Sequence, residues 1–167
     1  MILKDSLYSA IGLAAACLEK QLDFSNFLQN TLVPEVQIQD TGYNVLRRRI
    51  AILLGQWMPV KSDELKSDSI YQIFQHLLNS QDQLNDLVVR ITAGRQLKQV
   101  LDVFEFSPEI FKPYAPSIFQ NLMALVQEVE SSDTKMGLLN TVRMAVTRME
   151  DNVSIALFLR HHCHAGC

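Results

Sequence analysis

Ile73-Phe74-Gln75-His76-Leu77-Leu78 and Ile118-Phe119-Gln120-Asn121-Leu122-Met123 are nearly the same phrase, set 45 positions apart. A looser forerunner, Phe27-Leu28-Gln29-Asn30-Thr31-Leu32, stands 46 positions before the first. A second pair of phrases runs between them. Leu46-Arg47-Arg48-Arg49-Ile50-Ala51-Ile52-Leu53-Leu54 matches Val89-Arg90-Ile91-Thr92-Ala93-Gly94-Arg95-Gln96-Leu97 at an offset of 43, as an apolar residue, an arginine, small or apolar residues, then leucine. Looser copies begin at Leu7 and at Thr134-Lys135-Met136. Self-similarity at such a period is the mark of stacked helical hairpins, because one hairpin cannot bury both its apolar faces alone.

The chain therefore reads as two alternating helix types. A helices are expected over 4–19, 43–58, 85–102 and 133–150, and B helices over 23–33, 66–79 and 114–130. Local signals set the ends. Pro34 and Pro59 follow a B and an A helix, where neither can donate a backbone hydrogen bond. Ser107-Pro108-Glu109 is a helix entry in which the serine is expected to cap, and Pro113 and Pro116 split 108–130 into a short turn and a long helix. In the third A helix, Leu87, Ile91, Gly94, Leu97 and Leu101 recur at steps of three and four and form the expected apolar face, with Arg90, Arg95, Lys98 and Asp102 largely off it. The fold class is all-α: an α-solenoid of HEAT-type hairpins, about three and a half repeats over 4–38, 43–80, 85–130 and 133–152. Residues 153–167 do not continue the repeat and read as a poorly ordered tail. An irregular helical bundle is the alternative.

Composition agrees. Of the 167 residues, 48% are apolar, enough for a core, while only 6 glycines and 5 prolines interrupt helices. The formal net charge is −3; a nucleic-acid binder would usually carry a basic face, and this chain offers only local basic spots, so no nucleic-acid partner is expected. Three cysteines, Cys17, Cys163 and Cys167, make no disulfide framework, and Cys17 in its apolar run reads as a small core residue. Leu7–Leu18 is too short to span a bilayer, and Asp5 spoils a secretory leader, so a buried helix is the better reading of the start.

The run Leu46-Arg47-Arg48-Arg49-Ile50-Ala51-Ile52-Leu53-Leu54-Gly55-Gln56-Trp57, followed by Val60-Lys61, resembles the middle region of the importin-β (karyopherin-β) nuclear transport receptors. Asp86-Leu87-Val88-Val89-Arg90-Ile91, Val103-Phe104-Glu105-Phe106 and Asp133-Thr134-Lys135-Met136 follow in the family's order. The resemblance covers about residues 6–150. The Arg-Arg-Arg…Gly-Gln-Trp run is fairly specific, whereas Val-Val-Arg alone is general to HEAT repeats. The resemblance implies a carrier that shuttles between nucleus and cytoplasm. Such carriers bind protein cargo on the inner solenoid surface, phenylalanine-glycine nucleoporins on the outer one, and the GTPase Ran near the amino-terminal end. Members are several-fold longer and the Ran-binding repeats have no counterpart here, so no Ran contact is carried over. The chain is expected to be an internal or truncated segment. A generic HEAT scaffold, or a truncated form that does not transport, is the competing function.

Candidate residues follow, each with two readings. Arg47, Arg48 and Arg49 form the densest basic spot and could meet an acidic cargo or a phosphate. Successive helical residues fan out by about 100°, so three in a row make no single face; one arginine per repeat, Arg90 being the next, could instead pack along a ridge. Trp57 and Tyr71 could line a groove for a phenylalanine-glycine motif, or fill the core. His76 has no cysteine or carboxylate at ligand spacing and reads as an ordinary helix residue. In the tail, His161, His162, Cys163, His164 and Cys167 are weak candidates for zinc or copper, an out-of-frame or alternative ending being the other reading. No phosphate-cradling loop or nucleophile motif occurs. The expectation is a binding protein without catalytic residues or a cofactor, and without insertion into a membrane.

Overall fold

The structure, a computed structural model, describes residues 1–61 and 68–149. Among them every regular element is helical. The first A position holds α1 (Ile2–Leu13) and α2 (Ala15–Leu18), joined at Ala14. The first B position holds α3 (Phe24–Phe27), a π-helical stretch over Leu28–Leu32, and α4 (Val33–Glu35). Then come α5 (Tyr43–Trp57), α6 (Ser69–Leu78), α7 (Leu87–Leu101), the single turn α8 (Pro108–Phe111), α9 (Ala115–Glu128) and α10 (Ser132–Arg148).

Each start has a local cause. Gly42 has φ 88°, a left-handed conformation that costs glycine little, and turns the chain into α5. The Asp86 carboxylate accepts the Val89 N–H at 2.8 Å and caps α7. Ser131 accepts the Thr134 N–H and caps α10. Ser107 precedes α8 without a side-chain bond, so Pro108 at the first helical position sets that turn. The split around Pro113 and Pro116 is as the sequence reads. Pro34 differs: it does not follow the helix but sits within it, in α4. The π stretch before it is wound for i→i+5 bonding, with the Val33 N–H donating to the Leu28 carbonyl, and the helix passes through the proline.

The helices stack in two layers. α1, α5, α7 and α10 pack successively in the A layer, and α6 and α9 pack side by side in the B layer against α7 and α10. This is the all-α solenoid of HEAT-type hairpins. The repeated phrases supply the B layer's inward face: Ile73, Phe74 and Leu77, and likewise Ile118, Phe119 and Leu122, are all buried. Their partners Gln75, His76, Gln120 and Asn121 are left partly or fully open.

A second repeat shows in the A layer. Gly12, Gly55, Gly94 and Gly137 each lie in one A helix. A methyl at Gly12 would stand 2.0 Å from Gln56 Oε1, and one at Gly55 2.1 Å from Gln96 Oε1. One at Gly94 would stand 2.5 Å from Leu138 Cδ2. The missing side chain lets the next A helix approach, and the Gly94 carbonyl accepts the Thr141 hydroxyl at 2.9 Å.

Two expectations about residues change. Cys17 is exposed, not core, because the chain breaks at Ala14 and α2 turns that side chain outward. The α7 face is rotated from the one the spacing suggests. Leu87 is exposed, while Val89, Arg90, Ala93, Gly94, Leu97, Val100 and Leu101 are buried.

Candidate functional site

The arginine run divides as helical geometry requires. Arg47 is fully buried, Arg49 half-buried and Arg48 exposed. Arg47 Nη1 pairs with Asp82 at 2.8 Å and donates to the Asn85 side chain at 2.8 Å, while Nη2 reaches the Ile38 carbonyl at 3.3 Å. Arg90, 43 positions on, does the equivalent thing. Its Nη atoms grip Glu128 at 2.5 and 2.7 Å and its Nε donates to the Asn85 carbonyl at 3.0 Å. Asn85 closes the ridge by donating to the carbonyls of His76 and Asn79 at the end of α6. Burying a guanidinium is costly unless its charge and donors are answered. Here both charges are paired within the solenoid, while Arg47 Nε has no hydrogen-bond partner among the described residues.

Arg49 makes two bonds to Asp5, at 2.7 and 3.3 Å, and ties α5 to α1. Asn44 to Asp86 at 2.9 Å ties α5 to α7, and Arg95 to Asp133 at 3.3 Å ties α7 to α10. Within the run Arg47-Arg48-Arg49, Arg48 alone points to solvent without a hydrogen bond or ion pair among the described residues.

Trp57 is fully buried. It stacks on Phe24 at 4.6 Å and its indole N–H donates to the Ile11 carbonyl at 3.1 Å. Tyr71 is fully buried against Phe111 and Tyr114, at 5.2 and 6.2 Å between ring centres. Burial pushes its phenol pKa well up, and its hydroxyl has no hydrogen-bond partner among the described residues. Neither ring lines an open groove; both fill the seams between helices.

His76 Nε2 lies 3.0 Å from the Val36 carbonyl, which fixes that nitrogen as the proton donor, and 3.6 Å from Asp82. Burial, then the Arg47 charge, lowers its pKa. Asp82 would be raised by burial, but hydrogen bonds from Gln39, Arg47 and the Leu84 N–H hold it below the usual carboxylate range. No metal-ligating cluster of histidine, cysteine and carboxylate occurs among the described residues. His161, His162, Cys163, His164 and Cys167 lie outside them.

Sequence reading missed Glu35. Its buried carboxylate accepts from Tyr8 and Lys4, both at 2.6 Å, joining the first B helix to the first A helix. Burial favours its neutral form, but those bonds outweigh it and lower its pKa. Nothing in Val33-Pro34-Glu35 marks a buried acid, because its partners stand about thirty residues upstream.

Among the described residues, two of the open clefts lie between successive helices of one layer. One, of about 350 Å³ between α7 and α10, is lined by Arg95, Lys98, Asp133, Met136, Gly137 and Asn140. The other, of about 560 Å³ between α6 and α9, is lined by residues that include Gln75, His76, Ser117, Gln120 and Asn121. In the second, His76 Nε2 is engaged by the Val36 carbonyl at 3.0 Å. No described helix is long and apolar enough to cross a membrane.

Comparison with known proteins gives a consistent result. Human importin-11 is 38% identical over 149 residues, which span 89% of this chain and 15% of the relative. The fission yeast (Schizosaccharomyces pombe) importin beta-like protein kap113 is 33% identical over 153 residues, spanning 90% of this chain and 16% of the relative. KAP120 of Saccharomyces cerevisiae is 24% identical over 155 residues, spanning 90% and 15%. No family model and no solved structure matches. The chain thus spans about 15% of the length of the curated relatives it matches, and over that span it belongs to the importin-β family.

Proposed function

We propose that the chain works as a segment of a nuclear transport receptor, which takes protein cargo into the nucleus and moves between nucleus and cytoplasm. Cargo and phenylalanine-glycine nucleoporins are its direct partners, and Ran engages repeats other than these. The reading rests on the 38% identity to human importin-11 across 89% of the chain. The solenoid supports it: two layers of helices offer long faces, and the buried polar groups serve the scaffold rather than chemistry. The exposed Arg48 and these clefts are surfaces open to partners; Arg47, Arg90, Trp57 and Tyr71 shape the scaffold behind them.

The test is retention of the purified chain on immobilised phenylalanine-glycine nucleoporin repeats, with serine replacing phenylalanine in the control matrix. Retention that requires the phenylalanines supports transport. Equal elution from both matrices, together with capture into one stable complex that ignores Ran-GTP, would replace it with a scaffold role.

A further inference from the structure

The phrase that repeats at 45 residues carries more than a core. Ile73, Phe74 and Leu77 and their equivalents Ile118, Phe119 and Leu122 are explained by burial. Gln75 and Gln120 are not. They occupy equivalent positions on the open side of adjacent B helices, next to His76 and Asn121, and all four line the cleft between α6 and α9. Gln72, Asn79, Ser80, Gln81 and Ser117 extend its polar wall. No lysine, arginine, aspartate or glutamate lines this cleft. The side chains of Gln75, Gln120 and Asn121 make no hydrogen bond to any described residue, in contrast to the forerunner Gln29, which donates to Ser69 at 2.7 Å.

We propose that this cleft holds an extended protein segment by its main chain, with Gln75 and Gln120 as the principal contacts. This deepens the cargo-binding reading and rests on it. The chemistry favours a backbone over other ligands. A side-chain amide offers one acceptor and two donors, which matches the C=O and N–H that every peptide unit presents. A charged ligand such as a phosphate or a basic peptide would find no opposite charge in the wall. The geometry agrees. Packed helices lie about 8–10 Å apart, and an extended chain rises about 3.3 Å per residue. A strand crossing from α6 to α9 would thus meet one glutamine about every three residues. Its side chains would point away alternately and remain free to vary.

A displayed library of random 12-residue peptides, selected on the full 167-residue chain, tests this. Selected peptides should share no net-charge preference. N-methylation of single peptide nitrogens should weaken binding several-fold at sites about three residues apart. The double variant Gln75→Ala/Gln120→Ala should bind them about tenfold more weakly, from the loss of two hydrogen bonds. Lys20→Ala/Gln21→Ala, in the exposed turn after α2, should bind as before. Both pairs lie at the surface, and unchanged helical circular dichroism verifies that they fold. Three results would overturn the proposal: no peptide selected, indifference to N-methylation, or full binding by the glutamine variant. Loss of nucleoporin binding with N-methyl-sensitive peptide binding intact would instead remove the transport reading and leave this site standing.

Discussion

Arg47 Nη1 donates to the Asn85 side chain at 2.8 Å, and the same asparagine offers its backbone carbonyl to Arg90 at 3.0 Å. One residue in the loop between α6 and α7 therefore answers the buried arginines of two successive A helices. It also satisfies the last carbonyls of α6. This makes Asn85 the polar joint between repeats. Asn85→Ala leaves Arg47 short of an acceptor and removes a donor from the His76 and Asn79 carbonyls, the first of which still accepts the Asn79 N–H, and should cost about 2–3 kcal/mol in urea unfolding. Arg47→Ala should cost about 3–5 kcal/mol, because Asp82 loses its partner as well. The double variant should cost clearly less than the sum; strict additivity would show that the two side chains do not act together.

Gly94 and Gly137 test the close approach of the A helices. Alanine at Gly94 would press on Leu138 and Leu122, both fully buried, at 2.5 and 3.1 Å. Overpacking of about 1–3 kcal/mol should exceed the roughly 1 kcal/mol that alanine gains in a helix. At Gly137 the nearest atom is Arg95 Nε at 3.4 Å, an ordinary contact. Gly137→Ala should therefore leave stability unchanged or raise it by up to about 1 kcal/mol. Thermal unfolding of the two variants should move in opposite directions or differ by several degrees, and equal shifts would contradict the packing argument.

Period and layer order were legible because the core positions of the repeated phrases are apolar and the period is long. The helix end near Trp57 was legible from Pro59 beside it, and those near Leu78 and Leu101 from the period of the repeat. The course of the chain at Pro34 was not, because a π-helical turn depends on what packs around Leu28 and Leu32. The fate of each arginine was not legible either. Arg47 and Arg48 are neighbours of identical chemistry, and only the position of Asp82 and Asn85, 35 or more residues away, buries one and exposes the other. Trp57 and Tyr71 were readable as core or as groove, and tertiary neighbours such as Phe24 and Phe111 decide it.

Tyr71 gives a test of that decision. A buried hydroxyl without a partner is a cost that phenylalanine removes at nearly constant shape. Tyr71→Phe should hold stability or raise it by about 1 kcal/mol, with partner binding unaffected. Trp57→Phe should lower stability by about 1–2 kcal/mol, through loss of the Ile11 bond and the larger ring. A Tyr71→Phe variant that folds as stably but loses a partner would return that ring to the binding surface.

Ile2, Leu3, Leu7 and Leu13 are 85%, 82%, 53% and 78% exposed along α1. In a stacked array a face of this kind meets another helical layer. The isolated chain should therefore self-associate as its concentration rises in sedimentation velocity. Leu3→Glu/Leu7→Glu should shift it toward monomer without changing its helical content. A wild-type chain that stays monodisperse over a hundredfold range of concentration would show that this face needs no cover.

His76 supplies a pH signature. Burial and the Arg47 guanidinium hold its folded pKa below the ordinary value, with the Val36 carbonyl and Asp82 only partly offsetting them. Its unfolded value is about 6.5. A group depressed on folding takes up protons on unfolding, so its contribution is fully present above about pH 6.5 and is lost as pH falls through the folded value. The carboxylates Glu35, Asp82, Asp86 and Glu128 are also held low, and their loss begins only near their unfolded values of about 4. Between about pH 6.5 and 5 the decline in unfolding free energy should thus belong to His76. His76→Gln keeps a donor for the Val36 carbonyl without a titrating ring. Urea midpoints of this variant should be flat across that window while those of the wild type fall. An undiminished slope in the variant would assign the titration to a different group.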